Sequence, residues 1–230
     1  MTAPDLITLD SRPGFLPDLG RYLLDRARDK SVLNVGAAGG VHLYLPDHRE
    51  HWLHARLAGV ARELTGIDID AQAIAHAGRH GVALIEADCE TMELGARFEV
   101  IVMVDVIEHL ARPGQALEVL VGHLAPGGAL VVTTPNPTYL GSFLRALLNR
   151  DLNVYHEHVA GFLPEHLVAL CRRRGWRLAE VAFFTLPDRR SPGRRLKSAL
   201  GAVVARLFPR LGGWFVAVIE AGVGSGRGGP

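Results

Sequence analysis

Four clusters of small and acidic residues stand where short apolar runs end. Gly36-Ala37-Ala38-Gly39-Gly40 closes the run that starts at Ser31. Small side chains there let backbone approach a ligand, and the turn that follows offers N–H groups. Gly66-Ile67-Asp68-Ile69-Asp70 closes the next run; a carboxylate at that place can accept from both hydroxyls of a ribose. Asp70 also has the type and position of a helix cap. Glu86-Ala87-Asp88-Cys89 ends the third run, where a carboxylate can accept from the exocyclic amine of adenine. Asp105 follows the fourth, ahead of Ile107-Glu108-His109-Leu110. His109 can reach a substrate or cap the next helix. One such cluster is common in any protein. Four in order, each at its own strand end, describe a nucleoside site.

The elements that must position them alternate. The spacing of Leu16, Leu19, Leu23 and Ala27 predicts an amphipathic helix over 17–29. Strands are expected at 31–36, 63–68, 82–86, 98–104, 129–134, 176–186 and 214–219. Helices are expected at 46–60, 71–79 (closed by Gly81), 113–124, 139–148, 164–174 and 196–208. Phe98 to Val104 is almost wholly apolar, as suits a parallel strand buried on both faces. Ala125 to Gly128 reads as a turn, and Pro135 and Pro137 as a strand stop. This alternation implies α/β architecture: a mostly parallel sheet covered on both faces, with ligands at the carboxyl ends of its strands.

On these residues the chain resembles the class I S-adenosylmethionine (SAM)-dependent methyltransferases over roughly residues 30–185. The carrying motifs are VLNVGAAGG (32–40), LTGIDID (64–70), EADCE (86–90), FEVIVMVDVIEHL (98–110) and LAPGGALVVTTPN (124–136). The resemblance implies a Rossmann-like three-layer sandwich with a seven-stranded sheet whose last strand, here 214–219, runs antiparallel. It implies SAM as cofactor. Asn34, Gly36, Ala37 and Gly40 would line its methionine end, Asp68 and Ile69 its ribose, Asp88 and the backbone of Cys89 its adenine, with Asp105 close by. Asn34 stands where the family usually has an acidic residue, and Ala38 where it usually has glycine. Gly36 and Asp68 are 32 residues apart, against roughly 20 in a dinucleotide fingerprint; the excess lies around 48–59. A dinucleotide-dependent dehydrogenase is the rival on fold grounds. Its G-x-G-x-x-G fingerprint fails at Ala38 and Val41.

A base is needed when the methylated atom still holds its proton, and it contributes typically ~10²–10⁴-fold. The candidates lie in Asp151 to Val159. His156 and His158 offer imidazoles, the side-chain type suited to moving a proton at neutral pH, and Glu157 between them can orient a ring. The string Tyr155-His156-Glu157-His158 is similar to one in C-methyltransferases of deoxysugar biosynthesis, where the Glu and His are implicated in proton abstraction. Those enzymes carry further domains for which this sequence has no counterpart. His158 and Phe162 can instead anchor a lid over 136–162. His48, His51 and His54 recur every third residue, but this spacing drifts around a helix and no fourth ligand is evident. A polar or surface helix is expected there, and no metal site.

Composition bounds the rest. The 230 residues are 48% hydrophobic and 21% charged, as in globular proteins. A single domain is expected over 1–221, followed by a flexible tail, 222–230. Two cysteines make neither a disulfide framework nor a four-thiolate zinc site. The first ten residues lack the pattern of a secretory signal, and a cytoplasmic location is expected. Residues 171–230 hold twelve Lys/Arg against three Asp/Glu. That basic end, with the linker and helix over 187–210, can meet an anionic membrane, a phosphate or RNA; the commoner outcome is a helix that packs its apolar side inward and solvates its arginines. Few aromatics (7%) and no D/N-P-P-Y/F string disfavour a nucleic-acid substrate. The expected acceptor is a small hydroxylated molecule (sugar, glycolipid or natural product, free or lipid-linked), methylated on oxygen. C-methylation of a sugar, a nucleic-acid substrate and a non-catalytic partner protein stand as alternatives.

Overall fold

The structure is a computed structural model that describes residues 7–152, 154–188 and 190–222. Strands β1 (Gly14–Phe15), β2 (Ser31–Val35), β3 (Glu63–Asp68), β4 (Ile85–Glu86), β5 (Phe98–Val104), β6 (Leu124–Pro135), β7 (Arg177–Phe184) and β8 (Trp214–Glu220) form one sheet. Their order is β1-β7-β8-β6-β5-β2-β3-β4. β2 pairs in parallel with β3 and β5, β3 with β4, and β1 with β7. β7 and β8 pair antiparallel. The fold is therefore the expected Rossmann-like α/β arrangement, with eight strands rather than seven. The extra one, β1, has two residues and no period of its own; pairing with Ala182 and Phe183 makes it a strand.

The chain forms two compact units, Asp18–Val132 and the remainder. In the first, α1 (Leu19–Ala27) starts at Asp18, whose side chain accepts from the Arg21 N–H at 2.9 Å. α4 (Ala71–Arg79) starts at Asp70, which accepts from the Gln72 and Ala73 N–H groups. α5 (Pro113–Gly122) has proline at its first position, where no N–H partner is needed. β5 is buried along nearly its whole length.

The expected helix over 46–60 is not formed. After α2 (Val41–Tyr44), the segment holds only a 3-10 turn (Arg49–His51) and α3 (Leu53–Ala58). Proline holds the residue before it extended, and Leu45 before Pro46 is extended. Trp52 is also extended and docks its ring into the core that joins α2 to α4. His48, His51 and His54 consequently share no helix face. The expected turn at Ala125–Gly128 lies inside β6, and the strand expected over 82–86 shrinks to its last two residues.

In the second unit α6 (Leu140–Leu147) follows β6. α7 (Pro164–Arg174) has proline at its first position and Gly175 in the left-handed region as its cap. α8 starts at Pro192, four residues before its expected start, and runs to Leu207. The tail beyond residue 222 lies outside the described residues. Among the described residues no helix is long and apolar enough to cross a membrane.

Candidate functional site

All the candidate cofactor residues lie in the unit Asp18–Val132. β2 ends at Val35, and Gly36 turns the chain with φ 71°. A side chain there would be strained, and its Cβ would stand 2.6 Å from a Val106 methyl. The loop is held from below. The Ala37 N–H donates to the Ile67 carbonyl at 2.9 Å, and the Trp52 indole N–H donates to the Ala37 carbonyl at 3.0 Å.

Asp68 joins this loop to the tip of β3. One of its oxygens accepts from the Ala38 N–H at 2.8 Å and the other from the Asp70 N–H at 3.0 Å. Each oxygen keeps a second lone pair. Asp88 lies just beyond the neighbouring tip: Glu86 is the register partner of Asp68, and the Ala87 N–H donates to the Asp68 carbonyl at 2.9 Å. Asp88 accepts from the Glu90 N–H at 2.8 Å. Strand register and these hydrogen bonds thus bring the Gly36 loop, Asp68 and Asp88 together. Ile69, the residue after Asp68, is 71% exposed at this edge. Asp105 follows β5 with φ 51°, the left-handed region that non-glycine residues seldom occupy.

One detail departs from expectation. The turn after β2 was expected to offer N–H groups, but those of Ala37, Ala38, Gly39 and Val41 all bond within the protein. The loop therefore presents small, exposed surface at Gly39 and Gly40 rather than a row of donors.

Residues 10–181 match the family model of the methyltransferase domain. The chain belongs to that family. It is a class I SAM-dependent methyltransferase. The chain is 26% identical over 169 residues to a ubiquinone biosynthesis O-methyltransferase of Azoarcus, which covers 68% of each chain. A protein of the same name from Xylella fastidiosa is 28% identical over 165 residues, 66% of this chain and 62% of its own. The chain thus spans about two thirds of these curated relatives. Among solved structures, a SAM-dependent methyltransferase from Archaeoglobus fulgidus has a TM-score of 0.57 at 19% identity, covering 88% of this chain and 90% of its own. An N-methyltransferase of Bradyrhizobium japonicum in complex with S-adenosylhomocysteine has a TM-score of 0.52 at 18% identity, covering 87% and 84%. These two structures share the fold.

The residues of this methyltransferase fit SAM. Asp68 and Asp88 are acceptors with lone pairs to spare, suited to ribose hydroxyls and an adenine amine. The exposed Ile69 side chain offers apolar surface beside them. Cys89 is buried, and burial, with Asp88 and Glu90 alongside, pushes its thiol up to about 12. Its side chain is therefore an inert wall rather than a nucleophile.

Two features were not read from the sequence. The Asn34 side chain is buried in β2, and its amide nitrogen lies 3.3 Å from Nδ1 of the buried His54. Burial, then the charge of Arg49, lowers His54 to about 4, so its ring is neutral at neutral pH. The amide of Asn34 can then donate to the unprotonated nitrogen. The ring needs the glycine of β3 that is Asn34's register partner: a Cβ on Gly66 would stand 2.5 Å from His54 Cε1. That glycine inside a strand was the available signal. The second feature is Glu90, buried in the EADCE motif. It accepts from both the backbone N–H and the Nε of Arg112 at 2.8 Å. Arg112 thereby lowers its pKa.

The candidate bases divide between the units. His109 is exposed at the end of the 3-10 turn Ile107–His109. In the other unit, His156 and Glu157 are exposed, with Nε2 and Oε1 3.6 Å apart. His158 is half-buried, its N–H donates to the Tyr155 carbonyl at 3.0 Å, and its ring lies 5.5 Å from that of Tyr155.

Proposed function

We propose that this enzyme transfers the methyl group of SAM to a hydroxyl oxygen of a small acceptor with an apolar portion. The observation that carries the reading is the Asp68 carboxylate tied to the Gly36 loop, the arrangement that a nucleoside-bearing cofactor needs. The relatives named O-methyltransferases support oxygen as the methylated atom. Support for an apolar acceptor comes from α6 and the chain after it, where Phe143, Leu147, Leu148, Val154 and Val159 are all more than half exposed. The hydroxylated part of the acceptor is a sugar or another polyol-like or phenolic group. A lipid-linked form of it matches the same apolar segment.

Bound SAM supplies a methyl group on a positively charged sulfur, which is left as the neutral thioether of S-adenosylhomocysteine. The protein's part is positioning, worth up to roughly 7–11 kcal/mol in favourable cases, and handling one proton. His158 takes the proton from the acceptor hydroxyl as the O–CH3 bond forms. His156, Glu157 and His109 bind or orient the acceptor. Asn34, Gly36, Ala37, Gly40, Asp68, Ile69, Asp88, Cys89 and Asp105 hold the cofactor.

The test is turnover of wild type and His158→Ala on a panel of phenolic, sugar and lipid-linked acceptors, with calorimetric SAM affinity measured alongside. At least about a tenfold loss of turnover at unchanged SAM affinity is expected; a full rate in the variant refutes the base. Nuclear magnetic resonance of the product separates O-methylation from the alternative, C-methylation of a sugar.

A further inference from the structure

α8 is built inside out. Its protein-facing side is small: Ala205 is buried, and Ser198, Gly201 and Ala202 are half-buried. Its large apolar side chains, apart from the half-buried Val204, point the other way. Leu196, Leu200, Val203 and Leu207 are 63%, 58%, 55% and 72% exposed. Their spacings of four, three and four residues put them in one stripe along the helix. Phe208 extends the stripe at 61% exposure.

At 3.6 residues per turn, Arg195 and Arg206 fall on one flank of this stripe and Lys197 on the other. All three are exposed, and α8 contains no Asp or Glu. We infer that α8 docks flat on an anionic lipid surface, its leucine stripe in the acyl boundary and its flanking cations at the headgroups. Long basic side chains can bury their stems and keep their charges at the polar boundary. Charge selects this occupant over a second copy of the chain. Two α8 stripes laid face to face would set cationic flanks against cationic flanks with no acid in either helix to answer them. An anionic bilayer answers both flanks at once. The inference is independent of which acceptor is methylated.

The test is sedimentation of the full chain with vesicles of phosphatidylcholine, with and without phosphatidylglycerol, at low and high salt. Wild type is expected to bind the anionic vesicles, to release at high salt and to leave the zwitterionic ones in solution. The double variant Leu200→Glu/Leu207→Glu should lose about tenfold or more in partitioning, and Lys197→Glu/Arg206→Glu a similar factor on the anionic vesicles alone. Melting should not change for the leucine pair, because both side chains are exposed. No binding by wild type at low salt overturns the inference, and so does equal binding by the variants or equal binding to both vesicle types. A concentration-dependent dimer that Leu200→Glu/Leu207→Glu abolishes, without vesicle binding, assigns the stripe to a second copy and also overturns it.

Discussion

A neutral histidine sealed in the core makes stability depend on pH below the ordinary histidine range. His54 is 5% exposed, and its pKa is lowered from 6.5 to about 4. The folded protein therefore binds fewer protons at this site than the unfolded chain. Stability from this source is present above pH 6.5 and is lost as pH falls from there towards 4. Between pH 7.5 and pH 5.0 the loss comes to about 2 kcal/mol; complete protonation of both states would bring it to roughly 3. Glu90, Glu99 and Asp188 have pKa values lowered by the hydrogen bonds they accept, so their losses begin only in the ordinary carboxylate range and below. His76, lowered by desolvation and then by His42, contributes in the same direction as His54. A difference between two proteins removes its share. The assay is urea unfolding, followed by tryptophan fluorescence at pH 7.5 and 5.0, of wild type and His54→Gln. Gln can take the same bond from Asn34 and does not titrate. Wild type should lose about 2 kcal/mol more than the variant between the two pH values. Equal losses would mean that His54 protonates in the folded state as readily as in the unfolded one. The account of the Asn34–His54 pair would then be wrong.

Three further outcomes are expected. Asp68→Asn removes the charge that two N–H groups point at; SAM affinity measured by calorimetry should fall about tenfold or more, with about 1–2 kcal/mol of stability lost. Unchanged affinity would remove Asp68 from the cofactor site. Glu90→Gln puts an amide against the donors of Arg112. A cost of about 1–2 kcal/mol is expected, seen as a melting point lower by roughly 2–8 °C; an unshifted melt would show the pair to be idle. Cys89 and Cys171 are both buried, with thiols pushed by burial up to about 12 and about 11. Neither should react with a disulfide reagent at pH 8 in the native protein, and both should react in urea. Fast native labelling of either would contradict its burial.

The strands 63–68 and 98–104 and the helices 71–79 and 164–174 could be read to the residue. In each, a local period coincides with local punctuation: Asp70 as a cap, Pro164 at a helix start, an unbroken apolar run at Phe98–Val104. The strand-tip acids were legible for the same reason. A strand end is a local event, and parallel topology then gathers such ends on one edge. The helix over 46–60 failed because what interrupts it is partly distant. Trp52 leaves the helical path to give its indole N–H to Ala37 and its ring to a core shared by α2 and α4.

By itself the sequence determined the periods, the caps and the order of elements, and with them a sheet that presents Asp68 and Asp88 side by side. Only the tertiary structure decided which face of each element loses water. α8 carries a leucine stripe and a stripe of small residues, and the chain packs the small one inward. His48, His51 and His54 look alike in a row of letters, yet only His54 is buried. Burial is a property of contacts between distant segments. A glycine opposite, such as Gly66, leaves room for one ring, and the water that ring gives up sets its charge.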